Sequence, residues 1–316
     1  MSRLVLSGLY ISRVCQGLAL LEWIGMRIAG ARRDTHFKDL YMSQPNQMNF
    51  DLYLHRLGYD SPPPPTLETL RELQLRHVCR FTFESLSTLL QVAVPIDLAS
   101  VERKILHQGR GGYCYELNQV FLVLLQYLGY EVRGITGRVV MGGPEDELTA
   151  RSHRLTLLHL DGQRYIVDVG FGGMVPTAPL LLDTEQEQAT PHEPYRITER
   201  EGSYTLRAKV ADEWRAMYVF DLQVQGDVDY EMGNWYVSTH PDSPFLGQLK
   251  VARIGAGVRH TLNNASYAIH RMGQPSERRQ ISDVGEFMRL LQDEFALRLP
   301  DHPDLQRTLQ QLLEAG

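Results

Sequence analysis

Cysteine is scarce in this chain, and an excess of positive charge is absent. Only three of the 316 residues are cysteines, Cys15, Cys79 and Cys114. Thiols so few and so far apart exclude a disulfide framework and a cysteine-based zinc site, so we expect no metal and a reducing compartment, the cytoplasm. The formal net charge of −6 lacks the basic footprint of a nucleic-acid-binding protein.

Long apolar runs are missing as well. Residues 4–29 are fairly apolar, but Arg13, Glu22 and Arg27 interrupt them. A membrane-spanning helix needs about 20 predominantly apolar residues, and a secretory signal needs an uninterrupted apolar region. We therefore expect no membrane partner. With 43% hydrophobic and 22% charged residues, the composition is that of a globular protein with a sizeable core.

The most informative stretch, residues 110–114, reads Arg-Gly-Gly-Tyr-Cys and leads into an amphipathic helix. The apolar residues of one helical face follow: Leu117, Phe121, Leu124, Leu125 and Leu128. Gly129 is a typical C-terminal cap. A cysteine in the first turn feels the positive end of the helix dipole, which favours thiolate. These residues alone also allow a buried apolar cysteine beside a turn.

A thiolate nucleophile needs a base and a group that orients the base. His153 precedes one apolar strand-like run, and Asp168 lies in the next, with Asp161-Gly162 as a hairpin turn between them. Pairing across this turn places Leu155 opposite Asp168 and His153 diagonally close to it. A surface histidine and an aspartate that caps a glycine turn are the alternatives for each residue alone, but their joint placement favours a catalytic pair.

These segments resemble the arylamine N-acetyltransferase family. Three segments match it in order and spacing: Arg-Gly-Gly-Tyr-Cys-Tyr-Glu-Leu-Asn at 110–118, Ser-His at 152–153 and Val-Asp-Val-Gly-Phe-Gly at 167–172. Residues 83–86 resemble its Phe-Glu-Asn-Leu segment, with Ser85 replacing the usual asparagine. Residues 234–241 resemble a later segment near the cofactor. The similarity runs from about residue 49 to the C-terminus.

The chemistry predicts that Cys114 attacks an acyl thioester, His153 serves as base and Asp168 fixes the imidazole tautomer. The resemblance implies acetyl-CoA as the donor and a small-molecule arylamine or arylhydrazine as the acceptor. Phe83, Phe171 and Gly173 are expected to line the acceptor pocket. A core position is the alternative for Phe171, and a bend is the alternative for the glycine. The residues expected near coenzyme A are Gly172, Thr239, Ser243 and Phe245. A polar turn set by neighbouring prolines is the alternative for the last three.

The order of the elements predicts an α+β fold. It agrees with the N-terminal helical bundle, central β-barrel and C-terminal α/β lid, around a cysteine-protease-like triad core, that the resemblance implies. The predicted boundaries are 1–47 for an extension of unknown role, 48–130 for the bundle, 131–235 for the barrel and 236–316 for the lid. Within the barrel, residues 184–200 are predicted to be a polar loop. Hairpins are predicted from residue 236 on, then a helix after Asp283.

Three other functions stay open on the sequence. The same family includes amide synthases of polyketide pathways, and the same three side chains serve thiol hydrolases. A non-catalytic binding protein would keep the fold without needing an intact cysteine, histidine and aspartate. A homo-oligomer is compatible with everything above. We also expect Arg110 and Glu84 to form a structural ion pair that holds the cysteine loop, and Cys79 to be inert.

Overall fold

The computed structural model describes residues 48–315, and these have the predicted α+β architecture. The predicted extension, residues 1–47, lies outside the described residues. The helices are α1 Phe50–Arg56, α2 Leu67–Arg80, α3 Leu86–Leu89, α4 Leu98–Glu102, α5 Cys114–Tyr127, α6 Asp227–Thr239, α7 Val284–Asp293 and α8 Leu305–Glu314. The strands are β1 Phe83–Glu84, β2 Glu131–Val139, β3 His153–Leu160, β4 Gln163–Val167, β5 Leu180–Leu181, β6 Tyr195–Arg200, β7 Ser203–Val210, β8 Glu213–Phe220, β9 Lys250–Gly255, β10 Val258–Asn263, β11 Ser266–Arg271 and β12 Glu277–Gln280.

The N-terminal helices begin at residues whose side chains cap the first turn. The side chains of Asn49, Thr66 and Asp97 accept hydrogen bonds from the first turns of α1, α2 and α4. Helix α5 is buried along most of its length, and the chain leaves it through Gly129, whose φ of +93° is in the left-handed region. The core of this part therefore surrounds α5, whose first residue is Cys114.

A seven-stranded antiparallel sheet has the strand order β5-β4-β3-β2-β8-β7-β6. The hairpin of β3 and β4 has the predicted register, with Thr156 opposite Val167. Both turn residues have positive φ, +50° at Asp161 and +74° at Gly162, as a tight two-residue turn requires. Because the ladder stops at Val167, Asp168 lies one position beyond the last pair. Asp168 therefore lies at the same end of the hairpin as His153, the first residue of β3.

Gln188 links the two edges of this sheet into a nearly closed barrel. Its side chain makes two hydrogen bonds to the backbone of Leu181 in β5, of 2.7 Å and 2.9 Å. Its backbone pairs with Tyr195 in β6. The prediction that 184–200 is a loop is thus wrong for its last six residues, which form β6. Closing the barrel leaves fewer unpaired strand groups at the edges, which stabilises the sheet.

The C-terminal part is a second sheet with the order β1-β9-β10-β11-β12, against which α7 and α8 pack. Strand β1 pairs with β9, with Phe83 opposite Ala252, so the helical part contributes the edge strand. Asp283 caps α7 as predicted. Helix α6, which spans the predicted boundary at 235/236, was not predicted. The domain boundaries themselves stay predictions.

Within residues 48–315, no helix combines the length and the apolar character needed to cross a membrane.

Candidate active site

Cys114 is the first residue of α5 and is buried, with 4% of its surface exposed. Two backbone hydrogen bonds hold the loop before it: Gly112 donates to the carbonyl of Thr82, and Glu84 donates to the carbonyl of Gly112. A Cβ on Gly111 would lie 2.0 Å from the Thr82 carbonyl oxygen. Only glycine allows this approach, which explains the Gly-Gly pair before the cysteine.

A buried network of ion pairs stabilises the cysteine loop, residues 110–113. Arg110 pairs with Glu84 at 2.7 Å, which confirms the predicted structural pair. Lys104 pairs with Glu116 at 2.7 Å, and the Glu116 carboxylate also accepts from the Tyr113 N–H, 3.1 Å away. Burial raises the pKa of Glu84, but Arg110 and Lys104 outweigh it and hold that pKa below its usual value. Lys104 is thus shared by two buried carboxylates.

For Glu116, burial outweighs the effect of the one cation beside it. It raises the pKa of this carboxyl above its ordinary value, although Lys104 acts in the opposite direction. A carboxylate that is buried and anionic depends on the cation beside it. Glu116 caps the start of the cysteine helix by accepting a hydrogen bond from the Tyr113 N–H. The position of that helix therefore depends on Lys104, which stabilises the Glu116 carboxylate.

We expect Lys104→Met to lower the free energy of unfolding by about 3–5 kcal/mol, since it leaves Glu116 buried without its cation. Urea unfolding followed by circular dichroism measures this. Arg307→Met is the matched control, because the pair of Arg307 with Asp304 lies on the surface and should contribute about 0–1 kcal/mol. Equal midpoints for the two variants would contradict the role given to the buried network.

His153 and Asp168 form a buried pair. The Nε2 atom of His153 lies 2.7 Å from Oδ2 of Asp168, and the two residues are 2% and 0% exposed. Burial lowers the pKa of His153, but the charge of Asp168, its hydrogen bond and the nearby Cys114 sulphur raise the pKa to about 10. Burial raises the pKa of Asp168, yet His153, Asn118 and Gly170 together keep it below its usual value. The pair therefore favours an imidazolium beside a carboxylate.

Cys114 lies against the same pair. Its Sγ is 3.6 Å from the carbonyl oxygen of Ser152, the residue before His153. A Cβ on Gly170, two residues after Asp168, would come within 2.8 Å of the Cα of Cys114. The start of α5 and the two strand ends are thus packed in direct contact. The structure brings the predicted cysteine, histidine and aspartate together.

Asn118, one turn along α5 from Cys114, was not predicted to be part of the site. Its Nδ2 donates to Oδ1 of Asp168 at 3.0 Å and to the carbonyl of Arg154 at 2.6 Å. Its Oδ1 accepts from the N–H of Val169 at 3.0 Å. Both ends of the amide are satisfied, so Asn118 fixes the carboxylate and ties both strands of the hairpin to the cysteine helix. Its place four residues after the cysteine, on the same helical face, was the available signal.

Two aromatic rings enclose the imidazole. The ring centroid of Tyr218 in β8 lies 4.8 Å from that of His153, and the ring of Phe171 lies 5.1 Å away, edge to face. Tyr218, also missed from the sequence, is fully buried, and burial holds the pKa of its hydroxyl well above the usual value. The two rings keep water from one side of His153, while Phe171 stays partly exposed.

The predicted acceptor residues lie at or against the turn that follows Phe171. The Phe83 ring packs against Gly172, whose φ is +73°. A Cβ atom on Gly172 would lie 3.4 Å from that ring. Phe245 lies 6.1 Å from Phe83 between ring centroids. Gly173 follows in the same short turn of 3₁₀ helix, Gly172–Met174. Their roles toward a substrate or coenzyme A stay predictions.

The predicted hydroxyl ligands are engaged within the chain. Thr239 donates from its hydroxyl to the carbonyl of Trp235, and Ser243 donates to the carbonyl of Val237. Ser243 is buried and also accepts from the N–H of Phe245. The Thr239 hydroxyl thus bonds within the last turn of α6, and the Ser243 hydroxyl fixes the turn after it. Their binding of coenzyme A stays a prediction.

The two cysteines in the described part of the chain are both free thiols. Cys79 is half-buried in α2, and burial raises the pKa of its thiol. This agrees with the expectation that Cys79 is inert. Among residues 48–315, no cluster of three or more histidine, cysteine or acidic side chains is placed to hold a metal ion.

Comparison with known proteins matches residues 66–303 to a family described as N-acetyltransferase. An arylamine N-acetyltransferase / N-hydroxyarylamine O-acetyltransferase of Salmonella typhimurium is 38% identical over 250 residues, which is 79% of this chain and 89% of that protein. An arylamine N-acetyltransferase of Mycolicibacterium smegmatis is 36% identical over 258 residues, 80% of this chain and 94% of that protein. The solved structure of the Mycobacterium marinum arylamine N-acetyltransferase in complex with CoA superposes with a TM-score of 0.79 at 37% identity, covering 84% of this chain and 99% of that one.

Proposed function

The chain belongs to the arylamine N-acetyltransferase family and is an acyltransferase, and from this premise we propose that Cys114 carries an acetyl group from acetyl-CoA to the nitrogen of an arylamine or arylhydrazine. The observation that supports this most is the buried pair of His153 and Asp168 against the start of the cysteine helix. Acetyl-CoA is supported as donor by the relative solved with CoA.

In the first half-reaction, the Cys114 thiolate attacks the acetyl carbonyl carbon of the donor. A bond forms from Sγ to that carbon, the bond to the sulphur of coenzyme A breaks, and the leaving thiolate takes a proton from the His153 imidazolium. The first N–H groups of a helix have no carbonyl one turn earlier within it, so those beside Cys114 at the start of α5 are suited to stabilise the oxyanion. Thiol and thioester exchange at little cost, which keeps the acetyl group activated.

In the second half-reaction, the amine nitrogen attacks the Cys114 thioester. His153 takes the proton from the amine, the bond from carbon to Sγ breaks, and Cys114 returns to the thiolate. Asp168 holds the imidazole in place and supports its positive charge in both steps. Phe83, which packs against Gly172, and Phe171, which precedes it, supply flat apolar surfaces suited to an aromatic acceptor.

The products test the proposal against a hydrolase. With acetyl-CoA and an arylamine such as aniline, we expect the acetylated amine to form at the rate at which free coenzyme A appears. Chromatography of both products measures this. Release of acetate at that same rate, with no acetylated amine, would contradict the proposed transfer and indicate hydrolysis.

The ion pair gives a pH prediction for alkylation. A His153 pKa raised to about 10 keeps the imidazolium protonated below that pH, so it stabilises a neighbouring thiolate through the neutral range. We expect iodoacetamide to modify Cys114 at pH 6 at a rate close to that at pH 8, whereas a free cysteine, with a pKa of about 8.5, slows by about two orders of magnitude. Mass spectrometry of the peptides that contain Cys114 and Cys79 measures the two alkylation rates.

Cys79 in the same protein is the internal control, since burial raises the pKa of its thiol and it should react slowly at pH 6. Asp168→Asn should remove much of the advantage of Cys114, because the imidazolium loses its carboxylate partner. A Cys114 rate at pH 6 that falls to the level of free cysteine would rule out the paired thiolate.

A further inference from the structure

A buried arginine from the C-terminal sheet holds the turn that follows the Asp168 strand. Arg259 in β10 is 1% exposed. Its Nε donates to Oε2 of Glu193 at 2.8 Å, and its Nη2 lies 2.6 Å from the same oxygen. Its Nη1 donates at 3.1 Å to the backbone carbonyl of Gly173. One guanidinium therefore joins a carboxylate to a backbone oxygen beside the candidate active site.

Two further contacts fix the same turn. The hydroxyl of Tyr195 in β6 donates to the carbonyl of Met174 at 2.9 Å, so two consecutive carbonyls are held by buried side chains. The methyl group of Thr261 in β10 lies 2.8 Å from the position that a Cβ on Gly173 would take. The backbone of this turn is thus fixed from both sheets, and Arg259 supplies the only positive charge among these three contacts.

The turn carries the aromatic residue that stands next to the base. Phe171 directly precedes Gly172, and its ring lies edge to face with His153 at 5.1 Å. The Phe83 ring packs against Gly172. A displacement of Gly173 would therefore move Phe171 relative to His153, whereas Cys114 and Asp168 have their own anchors in Asn118 and the cysteine loop.

We propose that Arg259 is a positioning residue for the amine acceptor: by binding Glu193 and the Gly173 carbonyl together, it sets where Phe171 stands over the acceptor position. This rests on the proposed acetyl transfer. The planar guanidinium suits the task, because it reaches two acceptors in fixed directions, which an ammonium group does not. Arg259 touches neither the reacting atoms nor the nucleophile, and the turn that it holds follows Phe171, so we expect its main effect on the amine half-reaction.

The experiment compares the two half-reactions in Arg259→Lys and Tyr195→Phe. Lysine keeps the positive charge beside Glu193 but loses the second hydrogen bond, to the Gly173 carbonyl. Phenylalanine keeps the aromatic ring but loses the hydrogen bond to the Met174 carbonyl. For each variant we expect the KM for aniline to rise, by about tenfold for Arg259→Lys, since small misplacements near the reacting groups cost about tenfold to a hundredfold. Acetylation of Cys114 by acetyl-CoA without amine should stay within about twofold of wild type, because the cysteine side is anchored separately.

Arg253→Lys is the matched control, because Arg253 lies in the neighbouring strand β9 and its guanidinium donates to the carbonyl of Glu294, away from the turn. It should leave the KM for aniline unchanged. An unchanged KM in both Arg259→Lys and Tyr195→Phe would overturn the positioning role, as would an equal loss in both half-reactions. Failure of the wild-type protein to form an acetyl-enzyme would instead refute the proposed function, so the two failures are distinguishable.

Discussion

Cys114→Ser is expected to lower acetyl transfer by about a thousandfold or more, with the fold intact. A serine hydroxyl fits the space of the thiol, but at neutral pH it stays protonated and gives no thiolate to pair with His153. The first half-reaction would therefore fail, and no acetyl group would reach the amine. Steady-state assay with acetyl-CoA and aniline measures the loss, and the melting temperature verifies the fold.

Cys79→Ser is the matched control for this substitution. Cys79 lies in α2 with a pKa raised by burial, and it belongs to no part of the proposed mechanism. Its replacement should leave transfer within about twofold, since changes away from the site rarely alter the rate. Appreciable turnover by Cys114→Ser, or an equal loss in both variants, would remove Cys114 from its proposed role.

Asp168→Asn is expected to lower kcat by about 10³–10⁴-fold, the scale seen when the orienting carboxylate of such a triad becomes an amide. Oδ1 of Asp168 is held by Asn118 and the Gly170 N–H, so only Oδ2 faces His153. In Asp168→Asn, the position of Oδ2 is taken either by an NH₂ group, which points a donor at the imidazole, or by an uncharged carbonyl oxygen. In both cases the negative charge that raises the pKa of His153 is lost, and burial then lowers that pKa.

The control for this variant is Asp183→Asn. Asp183 pairs with Arg164 on the surface, and its side chain is 43% exposed. The control should keep near wild-type activity, because exposed pairs of this kind contribute about 0–1 kcal/mol. Asp168→Asn with a kcat within tenfold of wild type would show that the carboxylate is not needed to orient or support the imidazole.

The parts of the site that local sequence determines were predictable. The amphipathic run after Cys114 and the glycine that ends it define α5, and the two-residue turn at Asp161 and Gly162 fixes the register of the hairpin. Because side chains alternate along a strand, that register alone brings His153 and Asp168 together. A few residues on each side of a turn carried this information, so no knowledge of the distant fold was needed.

The contacts that depend on distant parts of the chain were not predictable. Gln188 closes the barrel by pairing with β5 and β6, and no local pattern marks a side chain that acts as a strand partner. Arg259 reaches Gly173 across 86 residues of sequence. Each of these polar residues is typical of a loop or a surface, and only the tertiary fold gives it a distant partner. The sequence pattern therefore did not predict their roles.

Helix α6 was missed for a different reason. Val228, Met232 and Trp235 are apolar but exposed, whereas Asn234 and Ser238 are polar but buried. The pattern that predicts an amphipathic helix is thus inverted on part of its surface. Gly233 inside the helix weakens the signal again, yet a Cβ there would lie 2.0 Å from the hydroxyl oxygen of Tyr115. Packing of α6 against the tyrosines that flank Cys114 overrides its sequence pattern.

The most direct test of the central claim is the mass of the protein after acetyl-CoA is added without any amine, followed by removal of free donor. The proposed mechanism predicts a gain of one acetyl group, located on the Cys114 peptide, and its complete loss when aniline is added, with acetylated aniline as the product. A protein that transfers acetyl groups to aniline but never carries an acetyl group on Cys114 would contradict the thioester mechanism.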